Sequence, residues 1–276
     1  MHRVSSRLWP LLLGLALVAA GCSSQVIDNA GETGDAATEP VEQQTEEAEV
    51  PADVPNTEPA VTPGATTTGS VVIDGVTIEY ATSVPVDFAI GDEAPLLLAF
   101  PPGGQDLGLT ESLTAQTYGP EAQRLGWVVV SPAAPNSELF FNGSETLVPG
   151  FLDWVETWVT PEGGAPHVAG VSNGGISSFR YAALNPDRIQ SLVGFPGFPR
   201  SDADRAALSE LTDIPIRLFV GGEDTNWIGP AMETVEAFRA AGGDIEATVF
   251  EGEGHVMSST QDGTIIFTQL ESFRAF

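Results

Sequence analysis

Lysine is absent from this chain, and its ten basic residues are all arginines set against 38 acidic ones, a formal net charge of −28. Phosphate backbones are held by clustered cations, so this deficit excludes nucleic acid as a partner. The acidic excess suits a solvated surface or one adapted to high salt. Cysteine occurs once, at Cys22, which excludes an intramolecular disulfide. Only three histidines are present, His2, His167 and His255, so imidazole chemistry has few places to reside. The acidic side chains lack the regular Asp/Asn spacing of a calcium loop, and no metal ligand is assigned. No apolar run reaches the roughly 20 residues that a membrane-spanning helix needs.

The longest such run, residues 8–20, follows Arg3 and Arg7 and precedes Gly21-Cys22. A basic start, a short apolar stretch and small residues describe an export signal over residues 1–21. Val18-Ala19-Ala20-Gly21-Cys22 resembles the lipobox of bacterial lipoproteins, although Ala19 stands where that pattern usually has leucine. The resemblance implies lipidation of Cys22, contact with a membrane through acyl chains rather than a spanning helix, and an anchored extracytoplasmic location. The alternative is a cleaved, freely secreted protein. Residues 22–70 are rich in Glu, Thr, Pro, Ala and Gly, lack any basic residue and have few large apolar side chains. Such a segment cannot bury enough surface to offset its ordering entropy, so a disordered tether is expected there.

From residue 71 the pattern changes. Val71-Val72-Ile73 and Val76 to Tyr80 read as two strands joined at Asp74-Gly75, a hairpin turn pair. Short apolar runs follow at 95–100, 127–130, 167–171, 189–193, 216–220 and 245–250, as expected of strands buried on both faces of a mostly parallel sheet. Segments of helical length lie between them, at 109–125, 148–160, 173–184, 202–212 and 228–241, with 259–274 closing the chain. Ser201-Asp202 supplies an N-cap signal for the fourth. This alternation predicts one doubly wound α/β domain over residues 71–276, with helices on both faces and no separate lid.

Gly170-Val171-Ser172-Asn173-Gly174 is a G-x-S-x-G sequence placed where an apolar strand gives way to a helix. That context is the one the motif requires for an exposed nucleophilic serine. A serine on so sharp a turn leaves no room for side chains two residues to either side. A hydroxyl is a weak nucleophile and needs a base within hydrogen-bond reach. His2 lies in the export signal. His167 is five residues before Ser172 on the same strand, about 16 Å away at ~3.3 Å per residue. His255 remains, in the Gly-rich stretch after the 245–250 strand. Asp224, after the 216–220 strand, is the expected acid that orients it, with its neighbour Glu223 as rival. Oxyanion stabilisation calls for preorganised N–H donors. The Asn173 amide follows the serine directly, and Gly103 or Gly104 in Pro101-Pro102-Gly103-Gly104-Gln105 can supply a second. Phe140, Phe141 and Trp227 are candidate walls of a substrate pocket.

These motifs together resemble the α/β-hydrolase superfamily over the whole of 71–276, and most nearly compact secreted esterases of the feruloyl esterase and polyhydroxybutyrate-depolymerase type. Pro101-Pro102 departs from the His-Gly common in that oxyanion loop. The resemblance implies hydrolysis of small or polymer-derived carboxylic esters through an acyl-enzyme, with no metal or organic cofactor. A serine peptidase or aminoacyl hydrolase would use the same three residues, since fold and trio do not set the acyl group. A surface lipoprotein that binds a partner without catalysis is the reading from another class.

Overall fold

A computed structural model describes residues 57–274. The expected export signal, Cys22 and most of the expected tether lie outside those residues. Strands β1 (Thr66–Ile73) and β2 (Val76–Ser83) form the expected hairpin. Both turn residues have positive φ, +51° at Asp74 and +78° at Gly75, the conformation that tight two-residue hairpins demand. Six further strands complete one eight-stranded sheet: β3 (Leu96–Phe100), β4 (Val128–Pro132), β5 (His167–Gly170), β6 (Leu192–Gly194), β7 (Ile216–Gly221) and β8 (Ile245–Phe250). The spatial order is β1-β2-β4-β3-β5-β6-β7-β8, antiparallel at the hairpin and between β2 and β4, and parallel from β4 to β8.

The apolar runs follow from burial on both faces. Along β3, Leu96, Leu98 and Phe100 join one core cluster, while Leu97 and Ala99 join another on the opposite face. Helices α1 (Leu107–Leu113) and α2 (Gly119–Leu125), joined by a π-helical turn over Thr114–Tyr118, cover the second face together with α7 (Thr264–Phe273). Helices α3 (Val148–Val155), α4 (Asn173–Leu184) and α6 (Ile228–Ala240) cover the first. The short α5 (Asp202–Ala206) begins at Ser201, whose hydroxyl accepts from the Asp204 amide in a capping box, a pairing that satisfies two otherwise free N–H groups. Among the described residues no helix is long and apolar enough to cross a membrane.

The domain starts earlier than residue 71. Thr66 to Ser70 belong to β1, and Thr67 Oγ1 and Thr82 Oγ1 each donate to the Ala60 carbonyl. Trp154 Nε1 donates to the Thr57 carbonyl at 3.0 Å. Threonine is a strand former as well as a tether residue, so composition places the boundary too late.

Candidate active site

The C-terminal ends of β3, β5, β7 and β8 all open onto one rim of the sheet, where ligands of open α/β sheets bind. Four loops meet there. After β5 the chain turns sharply into α4, and Ser172 takes φ +58° and ψ −121°, a strained conformation for a residue bearing a side chain. The glycines around it are required by space: a Cβ on Gly170 would collide with the Gly174 carbonyl, and one on Gly174 with the Phe100 carbonyl of β3. The Ser172 N–H donates to the Pro196 carbonyl at 2.9 Å, which pins the turn to the loop after β6. Helix α4, of 12 residues, directs its N-terminus at this point, where negative charge is favoured.

The three residues expected to act together do meet. His255 Nε2 lies 2.8 Å from Ser172 Oγ, and His255 Nδ1 lies 2.7 Å from Asp224 Oδ2. The Asp224 carboxylate is buried, and Trp227 and Ile228 donate their N–H groups to its backbone carbonyl. Glu223, the rival acid, is exposed, and its N–H is tied to the Glu253 carbonyl at 2.9 Å. The loop bearing His255 is held by Glu253, whose carboxylate accepts from Ser258 Oγ at 3.0 Å and Ser259 Oγ at 2.6 Å. Those bonds, the Ser259 hydroxyl foremost, hold the Glu253 carboxyl below its usual pKa. His167 stands at the far end of β5, buried, with Nδ1 2.7 Å from Ser191 Oγ and its ring 5.0 Å from that of Trp127. Burial pushes its pKa down to about 4.

The turn after β3 is organised by Gln105, a residue without a role in the sequence argument. Its wholly buried amide donates to the Pro101 carbonyl at 3.2 Å and to Ser177 Oγ at 2.9 Å, and accepts from the Phe140 N–H at 2.9 Å. One neutral side chain thus ties the turn to α4 and to the 139–142 loop. Among the described residues, the N–H groups of Gly103 and Asn173 donate to no protein acceptor. Asn173 Nδ2 donates to the Gly103 carbonyl at 2.8 Å, which holds these two donors beside each other. Gly103 lines the cavity at Ser172, whereas Gly104 does not.

That cavity is about 380 Å³, within the range of small-ligand pockets. Its wall is mainly apolar, from Leu113, Val171, Phe195, Val256 and Met257, with Thr117 and Thr260 as neutral polar members. The π-helical turn places Thr117 there, an irregularity frequent at functional sites. None of the three expected wall aromatics lines it. Phe140 is buried in the core against Phe100, with ring centres 5.5 Å apart, which corrects the expectation of a substrate contact. Its neighbour Phe141 points the other way and lines a separate cavity. Trp227 packs on His255 itself, at 4.9 Å between ring centres.

Among solved structures, the chain is similar to an S-formylglutathione hydrolase from Agrobacterium tumefaciens, with a TM-score of 0.58 and 15% identity over 76% of this chain and 94% of the other. It is also similar to a ferulic acid esterase, with a TM-score of 0.53 and 14% identity over 76% of this chain and 97% of that one. A thermostable esterase gives a TM-score of 0.57 and 18% identity over 74% of this chain, which spans only 59% of that protein's length. No protein-family model and no curated protein sequence matches the chain. The mostly parallel eight-stranded sheet and these likenesses agree: the chain has the α/β-hydrolase fold.

Proposed function

We propose that this protein is a serine hydrolase that cleaves carboxylic esters through an acyl-enzyme. The observation that carries it is the unbroken hydrogen-bonded chain Asp224–His255–Ser172, with links of 2.7 and 2.8 Å, at the mouth of an apolar cavity. Ser172 Oγ attacks the ester carbonyl carbon while His255 Nε2 takes its proton, as general base. Asp224 holds the imidazole with Nε2 toward the serine and stabilises the imidazolium. The tetrahedral oxyanion is met by the N–H groups of Asn173 and Gly103, which cost little to reorganise because they are already held in place. Collapse breaks the carbon–oxygen bond to the alcohol, and His255 returns the proton to that leaving oxygen. Water then attacks the acyl carbon, giving its proton to His255, which passes it to Ser172 Oγ as the bond from that oxygen to the acyl carbon breaks and the acid is released.

The cavity beside Ser172 is lined by no Asp, Glu or Arg, so a neutral, apolar acyl group suits it. Its hydrophobic wall removes that group from water, at about 0.8 kcal/mol per methylene buried. The S-formylglutathione hydrolase and the esterases that share the fold support the ester reading by analogy only. We further propose export, with anchorage through a lipid on Cys22. The test is turnover of p-nitrophenyl butyrate: Ser172→Ala is expected to lose it by about 10⁴-fold or more, and Asp224→Asn by about 10³- to 10⁴-fold. Wild-type rates in Ser172→Ala would contradict the assignment. An amide of the same acyl group, cleaved as fast as the ester, would shift the reading to a peptidase.

A further inference from the structure

A second cavity, of about 490 Å³, shares no residue with the first. Ser172 lines the first and Asn173, the next residue in the chain, lines the second, so the two cavities flank the Ser172–Asn173 peptide. The second cavity is the more polar, and two charged side chains face it, Arg200 and Asp204. Asp204 is already matched: Arg180 Nη1 donates to it at 2.9 Å, and its side chain is 4% exposed. Arg200 is different. Its guanidinium lies over the ring of Phe141, 5.2 Å from the centre, and forms no ion pair among the described residues. Acidic residues outnumber basic ones 38 to 10, so scarcity of carboxylates does not account for an arginine left unpaired at this site.

We propose that Arg200 recognises a carboxylate on the alcohol half of the ester. The inference rests on Ser172 being the nucleophile. With the carbonyl carbon at Ser172 and the acyl group in the apolar cavity, the leaving alcohol must extend elsewhere, and the second cavity opens one residue away. An arginine whose face is occupied by an aromatic ring keeps its edge N–H groups free, and that planar fork matches a carboxylate in two parallel hydrogen bonds. Phe141 restricts the side chain, so less freedom is lost when the anion binds. The arginine also offsets, locally, the repulsion that so acidic a protein exerts on an anionic substrate.

The experiment compares phenyl butyrate with 4-carboxyphenyl butyrate on the full domain, as the ratio of their kcat/KM values. Arg200→Gln is expected to lower the ratio of carboxylate to neutral ester about fivefold, chiefly through KM of the carboxylate ester. Arg124→Gln removes the same charge from the exposed face of α2 and should leave the ratio where the wild type has it. An unchanged ratio in Arg200→Gln, or an equal fall in Arg124→Gln, overturns the proposal. Failure of the wild type to hydrolyse either ester is a different result, which removes the Ser172 reading and this inference with it.

Discussion

The indole of Trp227 lies against the imidazole of His255, with ring centres 4.9 Å apart and planes inclined by 44°. Trp227 is braced in turn by Phe198, at 5.0 Å, and its N–H donates to the Asp224 carbonyl at 3.0 Å. The acid loop therefore both hydrogen-bonds the imidazole and covers it. A cation against an aromatic face gains about 0.5–2 kcal/mol, so the indole favours the imidazolium formed during proton transfer. Trp227→Ala is expected to lower kcat about tenfold with KM changed less than about twofold. Trp227→Phe should restore it. A rise in KM at constant kcat would instead make Trp227 a substrate contact.

Gln105 links three segments around the turn after β3 through bonds of 2.9, 2.9 and 3.2 Å. Gln105→Ala leaves the Phe140 N–H buried without a partner, a cost of about 1–3 kcal/mol. Urea denaturation should show a lower midpoint at unchanged slope. Turnover of p-nitrophenyl butyrate should fall as well, because Gly103 loses its support. Full activity in a destabilised variant would separate the turn from catalysis.

His167 gives the fold a pH dependence of its own. Burial holds its pKa at about 4, below the usual 6.5, with Glu162 and Glu271 opposing and Arg274 reinforcing that shift. Between those two values the unfolded chain takes up a proton that the folded chain resists. The contribution to stability is therefore complete above pH 6.5 and is lost as pH falls toward 4, by about 3 kcal/mol in all. Chemical denaturation of wild type and His167→Gln across pH 4–7 should show the steeper decline in the wild type. Parallel curves would contradict the assignment.

The loop carrying His255 depends on Glu253, whose carboxylate accepts from two serine hydroxyls and the Ser259 N–H. Glu253→Ala should leave the melting temperature nearly unchanged, since the cluster is at the surface, yet lower kcat about three- to tenfold by loosening the imidazole. Unaltered kinetics would show that the loop holds its shape without it.

The parts legible in the sequence are those whose signal is local or counted by elimination. The turn at Ser172 is written in adjacent glycines, and His255 follows from having only three histidines. Asp224 is placed by the end of a strand, since strand ends share one rim. Helix α4 begins and ends at the predicted residues because Gly174, Gly175 and Pro186 punctuate it. The parts that were not legible depend on contacts between distant segments. Phe140 and Phe141 are identical in type, and only the fold decides that one enters the core and the other faces Arg200. Gln105 is a neutral amide in a loop, without periodicity or charge to mark it. Thr66 to Ser70 share the composition of the segment before them, and only pairing with β2 makes them a strand.

The central claim is that one hydroxyl, activated by one imidazole, forms the covalent intermediate. Its most direct test is mass spectrometry of the protein treated with a fluorophosphonate. A single adduct is expected, on the peptide containing Ser172, and its formation should be slowed severely in His255→Ala. An adduct on another residue, or ester turnover by protein that remains unlabelled, would contradict the account.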